Sequence, residues 1–217
     1  MKRLPDQLRI TEIFHSLQGE SITVGLPTVF VRLTGCPLRC QYCDTAYAFN
    51  GGNMVSIESI LERVASFECK HVCVTGGEPL AQPGCIDLLK SLCDAGHAVS
   101  LETSGARNIA DVDPRVMVVM DLKTPDSGEC EKNLLSNIHY LKQSDQLKFV
   151  LCSLEDYQWA CKMITEHQLT ERVHVLFSPS FEQLNPTMLA DWIIKDRLFV
   201  RFQLQLHKLL WNDAPGH

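Results

Sequence analysis

No apolar run in this 217-residue chain is long enough to cross a bilayer, and the opening stretch MKRLPDQLRITEIF holds no hydrophobic leader core. The reading therefore expects no membrane span, no signal peptide and a cytoplasmic location. Basic charge is also short. Twenty Lys and Arg against 26 Asp and Glu leave a net charge of -6, and no basic stripe of the kind that binds nucleic acid appears. Internal repeats, low-complexity tracts and long linkers are absent, which excludes a repeat array or a disordered chain.

Apolar residues and cysteine are present in quantity. A hydrophobic content of 45% supplies one domain, residues 1–217, with a substantial core. Ten cysteines could staple a secreted scaffold, but a chain this long needs no staples, and seven of them are scattered through apolar segments. Reduced thiols in a reducing compartment fit better.

The other three, Cys36, Cys40 and Cys43, have C-x3-C-x2-C spacing, with Tyr42 before the last and Asp44 and Thr45 after it. Three thiolates this close can hold three irons of a four-iron cubane and leave the fourth open to a small molecule. The competing account is a structural zinc site, which normally takes four protein ligands. His15, His71, Cys69 or Cys73 could supply the fourth, but no compact second pair completes a ribbon.

Strand-like and helix-like segments alternate along the chain. The expected strands are 28–33, 71–75, 97–102, 116–122, 146–151, 172–177 and 199–205, several of them continuous apolar runs suited to a parallel sheet covered on both faces. The expected helices are 56–67, with Ser56 as N-cap, 85–95, 153–166, opened by a capping box of Ser153 and Asp156, and 186–195. That alternation implies right-handed crossovers and an α/β fold. Too few units are present for a closed eightfold barrel, so the expectation is a partial TIM-like barrel of six or seven mostly parallel strands with outer helices.

Ligands collect at the C-terminal ends of such strands. There the chain places the cysteine loop, then TGGEP from Thr75, ETSG from Glu102, DLKTP from Asp121, Ser178-Pro179-Ser180 and Gln205 to Lys208. Gly76 and Gly77 allow close backbone approach, and Glu78 offers a carboxylate suited to a bound ammonium; the alternative is a plain strand-to-helix turn. Leu17-Gln18-Gly19-Glu20 can serve a purine- or pterin-like edge or be a solvated turn. Arg32 interrupts an apolar strand, so its charge must meet an anionic ligand or a structural partner. His207 and Lys208 either bind an anion or are exposed residues while Leu209, Leu210 and Trp211 pack beneath the barrel. His139, His167 and His174 stand alone and receive no role.

Taken together, the cysteine triplet and GGEP resemble the radical S-adenosylmethionine superfamily. FHSLQGE, FVRLTGC, YCDT, VTGGEP, LETSG and QLHK, in order from about Ile10 to Trp211, resemble the 7-carboxy-7-deazaguanine synthase family within it. The resemblance implies a lyase of queuosine precursor synthesis, in the pathway of a tRNA modification. Cys36, Cys40 and Cys43 would ligate a [4Fe-4S] cluster whose open iron chelates S-adenosylmethionine. One electron then yields methionine and a 5'-deoxyadenosyl radical, which takes a hydrogen from C6 of 6-carboxy-5,6,7,8-tetrahydropterin. Ring contraction with loss of ammonia gives the product, and S-adenosylmethionine is regenerated.

By position, Leu17, Gln18, Gly19, Glu20 and Thr75 would contact substrate, with Arg32 and His207 on its carboxylate. Tyr42, Cys43, Asp44, Gly77, Glu102, Thr103, Ser104, Lys123 and Ser178 would border S-adenosylmethionine. Thr45 would ligate Mg2+, a hard ion that keeps several waters. Some relatives carry Ser-Pro-Lys where this chain has Asp121-Leu122-Lys123, and some end soon after the His-Lys pair, so contacts from the tail beyond Trp211 do not carry over. The family also implies a homodimer and an electron donor such as flavodoxin or ferredoxin, with no direct nucleic-acid or membrane partner. Two other readings are a glycyl-radical activase, which shares the cluster but not LQGE, Arg32 or His207, and a non-catalytic metal-binding module.

Overall fold

The computed structural model describes residues 6–212 and residue 216. Seven strands run parallel: β2 (Pro27–Leu33), β4 (His71–Gly76), β5 (Ala98–Thr103), β6 (Met117–Asp121), β7 (Gln146–Leu151), β8 (His174–Pro179) and β9 (Arg201–Phe202). β1 (Gln7–Leu17) pairs antiparallel with both β2 and β3 (Asn53–Ser56), giving one sheet in the order β3-β1-β2-β4-β5-β6-β7-β8-β9. Its two terminal strands do not meet, so the partial barrel holds.

The nine strands among the described residues are two more than the seven expected segments, because β1 and β3 were not read from the sequence. The alternation in β1 is interrupted. Ile10 pairs with Leu33 and Glu12 with Arg32, leaving Thr11 as an extra residue, so Leu8 and Ile10 enter the core before the period shifts. At the other end β9 is two residues long, not the seven of 199–205. Gln203 N still donates to Phe177 O at 2.9 Å, but the Gln203 side chain then ties to Ser21 O at 3.0 Å and the chain turns inward.

Four helices cover the sheet: α1 (Ile57–Ala65), α2 (Cys85–Asp94), α3 (Leu154–His167) and α4 (Pro186–Asp196). Ser56 caps α1 by accepting from Ser59 N at 3.1 Å, and the periodic Ile60 and Val64 are fully buried. Ser153 caps α3 through Asp156 N at 3.2 Å. The Asp156 carboxylate does not reach back to the cap residue as a capping box would. It accepts from Thr124 Oγ1, Asp126 N and Cys152 N at 2.9–3.0 Å, fastening the loop after β6 to the helix start. A short α5 (Leu206–Trp211) follows β9.

Two apolar clusters fill the structure. One joins β1, β2, β4 and β5 to α1 and α2; the other joins β6, β7 and β8 to α3 and α4. Both lie between sheet and helices, which leaves the concave side of the sheet free for polar chemistry.

Candidate active site

The cysteine loop leaves the end of β2 and is fastened before any ligand is considered. Arg39 donates to Cys36 O at 2.7 Å and Leu38 O at 2.6 Å, its main-chain N donates to Glu129 Oε1 at 2.6 Å, and its guanidinium lies 4.1 Å from the Phe49 ring centre. Gly35 N donates to Ala48 O at 2.8 Å, closing the loop at its base. Leu38 N donates to Cys36 Sγ at 3.4 Å. Burial pushes the thiols of Cys36, Cys40 and Cys43 up, Cys40 to about 11, so each keeps its proton at neutral pH until coordination displaces it.

The GGEP turn packs directly on this loop. Glu78 N donates to Gly35 O at 2.9 Å, and a Cβ on Gly77 would overlap Gly35 O and lie 2.7 Å from Cys36 Cβ. Only glycine fits there. The Glu78 carboxylate, open in the sequence between a ligand group and part of a plain turn, does not line the cavity. It is fully buried and accepts from Thr103 Oγ1 at 2.9 Å, Ser104 N at 2.7 Å, Ser104 Oγ at 2.5 Å and Leu80 N at 2.9 Å. Glu78 thus locks the ends of β4 and β5 together beneath the site, which the ligand reading of the sequence missed.

A cavity of about 600 Å³ opens above these turns, with Cys36, Cys40 and Cys43 on its wall. Beside the cysteines, Lys123 pairs with Asp121 Oδ2 at 2.8 Å and its ammonium lies 5.6 Å from the Tyr42 ring centre. Burial opposes the Lys123 charge, but Asp121 together with the neighbouring Tyr42 and Cys40 outweighs it and the pKa stays well above the ordinary lysine value. Tyr42 Oη and Asp121 Oδ1 are buried on this wall without a partner among the described residues.

Across the cavity, Gln18 Nε2 donates to Glu102 Oε1 at 3.3 Å and Thr75 Oγ1 to Glu102 Oε2 at 2.9 Å. Glu20 forms an ion pair with Lys148 and accepts from Gln205 Nε2 at 2.8 Å. Burial works against the Glu20 charge, but Lys148 outweighs it and holds the carboxyl below its ordinary value. Asp44 accepts from Thr45 Oγ1 at 2.8 Å and Gln205 Nε2 at 3.2 Å, with Lys208 Nζ 3.7 Å away. Arg32 stands on an aromatic wall, its Nε donating to Glu12 Oε1 at 2.7 Å.

Known proteins match this arrangement over nearly the whole chain. Residues 30–128 fit the radical SAM superfamily model. A 7-carboxy-7-deazaguanine synthase of Chlorobaculum tepidum is 46% identical, covering 96% of this chain and 97% of that one. The chain belongs to the 7-carboxy-7-deazaguanine synthase family. A relative of the same name from Koribacter versatilis is 38% identical over 94% of this chain and 97% of its own. The crystal structure of QueE from Escherichia coli superposes with a TM-score of 0.77 at 21% identity, covering 93% of this chain and 95% of that one, and shows the same fold.

As a radical S-adenosylmethionine enzyme of the 7-carboxy-7-deazaguanine synthase family, the protein uses a [4Fe-4S] cluster and S-adenosylmethionine. The residues fit both groups. Three cysteines share one loop at the cavity wall, the thiolate set that holds three irons of a four-iron cluster. Tyr42 Oη and Asp121 Oδ1, without a partner among the described residues, leave a donor and an acceptor open beside it.

The cavity gathers Leu17, Gln18, Gly19, Glu20, Arg32, Tyr42, Asp44, Thr45, Thr75, Gly77, Glu102, Thr103, Ser104, Lys123 and His207 from the sequence expectations. Ser178 is the exception. It is buried within β8 and does not line the cavity; Ser180, just past the strand end, does. The alternative for the C-terminus is reversed: His207 lines the cavity and Lys208 is 8% exposed, while Leu209 and Leu210 are 62% and 51% exposed. The tail beyond Asn212 lies outside the described residues, apart from Gly216, which borders the cavity. Sequence reading missed Lys148, Phe14 and Tyr47, all on the cavity wall, and placed Gln205 on the ligand rim without giving it a role. Lys148 had a signal, a lone cation inside the apolar run QLKFVL, of the same kind that singled out Arg32.

Proposed function

We propose that the protein converts 6-carboxy-5,6,7,8-tetrahydropterin to 7-carboxy-7-deazaguanine with loss of ammonia, a conversion without net oxidation or reduction, in 7-deazapurine and queuosine biosynthesis. One observation carries this reading: a single cavity has three cysteines on one wall and, on another, the Arg32 guanidinium beside the carboxylate, amide and hydroxyl of Glu102, Gln18 and Thr75. Arg32 and His207 receive the substrate carboxylate. Leu17, Gln18, Gly19, Glu20 and Thr75 hold the heterocycle, whose guanidine-like edge suits buried carboxylate and amide oxygens. Gly19 has a specific reason, since a Cβ there would overlap the His207 ring.

Cys36, Cys40 and Cys43 hold the cluster, and Tyr42, Cys43, Asp44, Gly77, Glu102, Thr103, Ser104 and Lys123 border S-adenosylmethionine. Thr103 and Ser104 do so while tied to Glu78. When bound, the cluster and S-adenosylmethionine supply one-electron reduction and hydrogen abstraction. The chain orients the reacting carbon, excludes water and keeps Glu20 ionised through Lys148.

Thr45 ligates Mg2+. Substrate and water complete the shell of this hard ion. The chain works as one radical S-adenosylmethionine domain over residues 1–217, in the cytoplasm, fed by a flavodoxin- or ferredoxin-like donor. It assembles as a homodimer, for which the terminal strand β9 and the 88% exposed Phe199 supply an uncovered edge and apolar surface. No described helix is long and apolar enough to cross a membrane.

The test is anaerobic incubation of reconstituted protein with reductant, S-adenosylmethionine, Mg2+ and the carboxylated tetrahydropterin, read by mass spectrometry. Appearance of 7-carboxy-7-deazaguanine is the expected result. Formation of methionine and 5'-deoxyadenosine alone would leave the cofactor chemistry standing and remove the substrate assignment.

A further inference from the structure

We propose that Glu12 and Tyr47 are positioning residues that set the Arg32 fork to receive a planar carboxylate end-on; this rests on the substrate reading of Arg32 above. Ile10 pairs with Leu33 and Glu12 with Arg32, so the bulge at Thr11 brings Glu12 directly opposite Arg32. In a regular ladder Thr11 would stand there and Glu12 would point to the other face. Past the bulge the pairing runs on regularly, and Phe14 and Phe30, partners in the register, stack at 5.0 Å and 12°.

Glu12 Oε1 accepts from Arg32 Nε at 2.7 Å and from Tyr47 Oη at 2.7 Å. The guanidinium carbon lies 5.8 Å from the Phe14 ring centre and 5.8 Å from that of Tyr47. An arginine can grip a carboxylate through Nε and one terminal nitrogen, or through both terminal nitrogens. Glu12 occupies the Nε edge. The two terminal nitrogens have no partner among the described residues, and Arg32 lines the cavity. Only the end-on approach is left, with the Phe14 and Tyr47 rings each 5.8 Å from the guanidinium carbon. Tyr47 sits in the 3-10 turn Ala46–Phe49 that continues the cysteine loop, so it fixes the carboxylate grip relative to the cluster ligands.

The experiment measures binding of two fluorescent probes, pterin-6-carboxylate and pterin, to cluster-reconstituted protein with S-adenosylmethionine under anaerobic conditions, by anisotropy. The parent protein prefers the carboxylated probe. Glu12→Ala is expected to weaken pterin-6-carboxylate about tenfold and leave pterin unchanged. Glu12→Gln keeps an oxygen that accepts from Nε and restores binding to within about threefold, while Tyr47→Phe loses about threefold. Thermal melts of each variant accompany the titrations. Unchanged affinity of Glu12→Ala for the carboxylated probe, with the parent still discriminating, overturns the positioning role alone. Equal weakening of both probes reduces Glu12 to a structural ion pair and overturns it as well. A parent protein that does not discriminate removes both this inference and the substrate reading of Arg32.

Discussion

Replacing Glu78 by glutamine puts an amide NH2 where one of two fully engaged carboxylate oxygens stood. If it takes the Oε2 position, Ser104 N, which donates at 2.7 Å, faces another donor; at the Oε1 position Leu80 N, at 2.9 Å, is stranded. Hydroxyls of Thr103 and Ser104 can rotate, but a main-chain N–H cannot. A stranded buried donor costs about 1–3 kcal/mol, and the remaining bonds lose their charge assistance, so we expect a loss of about 3 kcal/mol. For a chain of this size that lowers Tm by roughly 6–12 °C. Circular dichroism melts of the cluster-free protein measure it, alongside S-adenosylmethionine binding to the reconstituted protein. A Tm within about 2 °C of the parent, with binding of S-adenosylmethionine lost, would refute the lock and restore Glu78 as a ligand group.

Three further outcomes follow from the same contacts. Gly77→Ala drives a Cβ into Gly35 O and against Cys36 Cβ, so reconstituted iron content is expected to fall by more than about half, with secondary structure retained by circular dichroism. Lys148→Met leaves Glu20 buried without its cation, at about 3–5 kcal/mol, and reverses a pH dependence. In the parent the lowered Glu20 pKa adds stability above the unfolded value of about 4.3 that is lost as pH falls through the folded value; in the variant, ionisation of unpaired Glu20 costs stability as pH rises. Melts between pH 3.5 and 7 read both limbs, and parallel curves would sink the pairing argument. Gly19→Ala must displace the His207 ring, so KM for the carboxylated pterin rises about tenfold with iron content unchanged.

Much of the fold is legible because its signals are local. The continuous apolar run QLKFVL and the Ile60–Val64 spacing behind Ser56 report strand and helix with no knowledge of neighbours, and both elements formed where expected. β1 escaped because a single extra residue, Thr11, breaks its alternation, and that extra residue has meaning only against β2. β9 was overestimated because Phe199 and Val200 have strand propensity while Gln203, tied to Ser21, ends the pairing. The capping role of Ser153 was readable; the use of Asp156 to hold Thr124 and Asp126 was not.

The sequence by itself determined the chemistry that depends on neighbours in the chain. Three thiols within eight residues, and a glycine pair after a strand, point to a metal or cluster loop and a close-packed turn from the chain alone. Only the tertiary structure decided which polar groups face a ligand and which hold the walls. Glu78 meets Thr103 and Ser104 across 25 and 26 residues, Glu20 meets Lys148 across 128, and Gln205 meets Asp44 across 161. Each of those meetings is set by strand order, register and crossovers. A buried charge must find a partner, but its own residue type does not say whether that partner is protein or substrate.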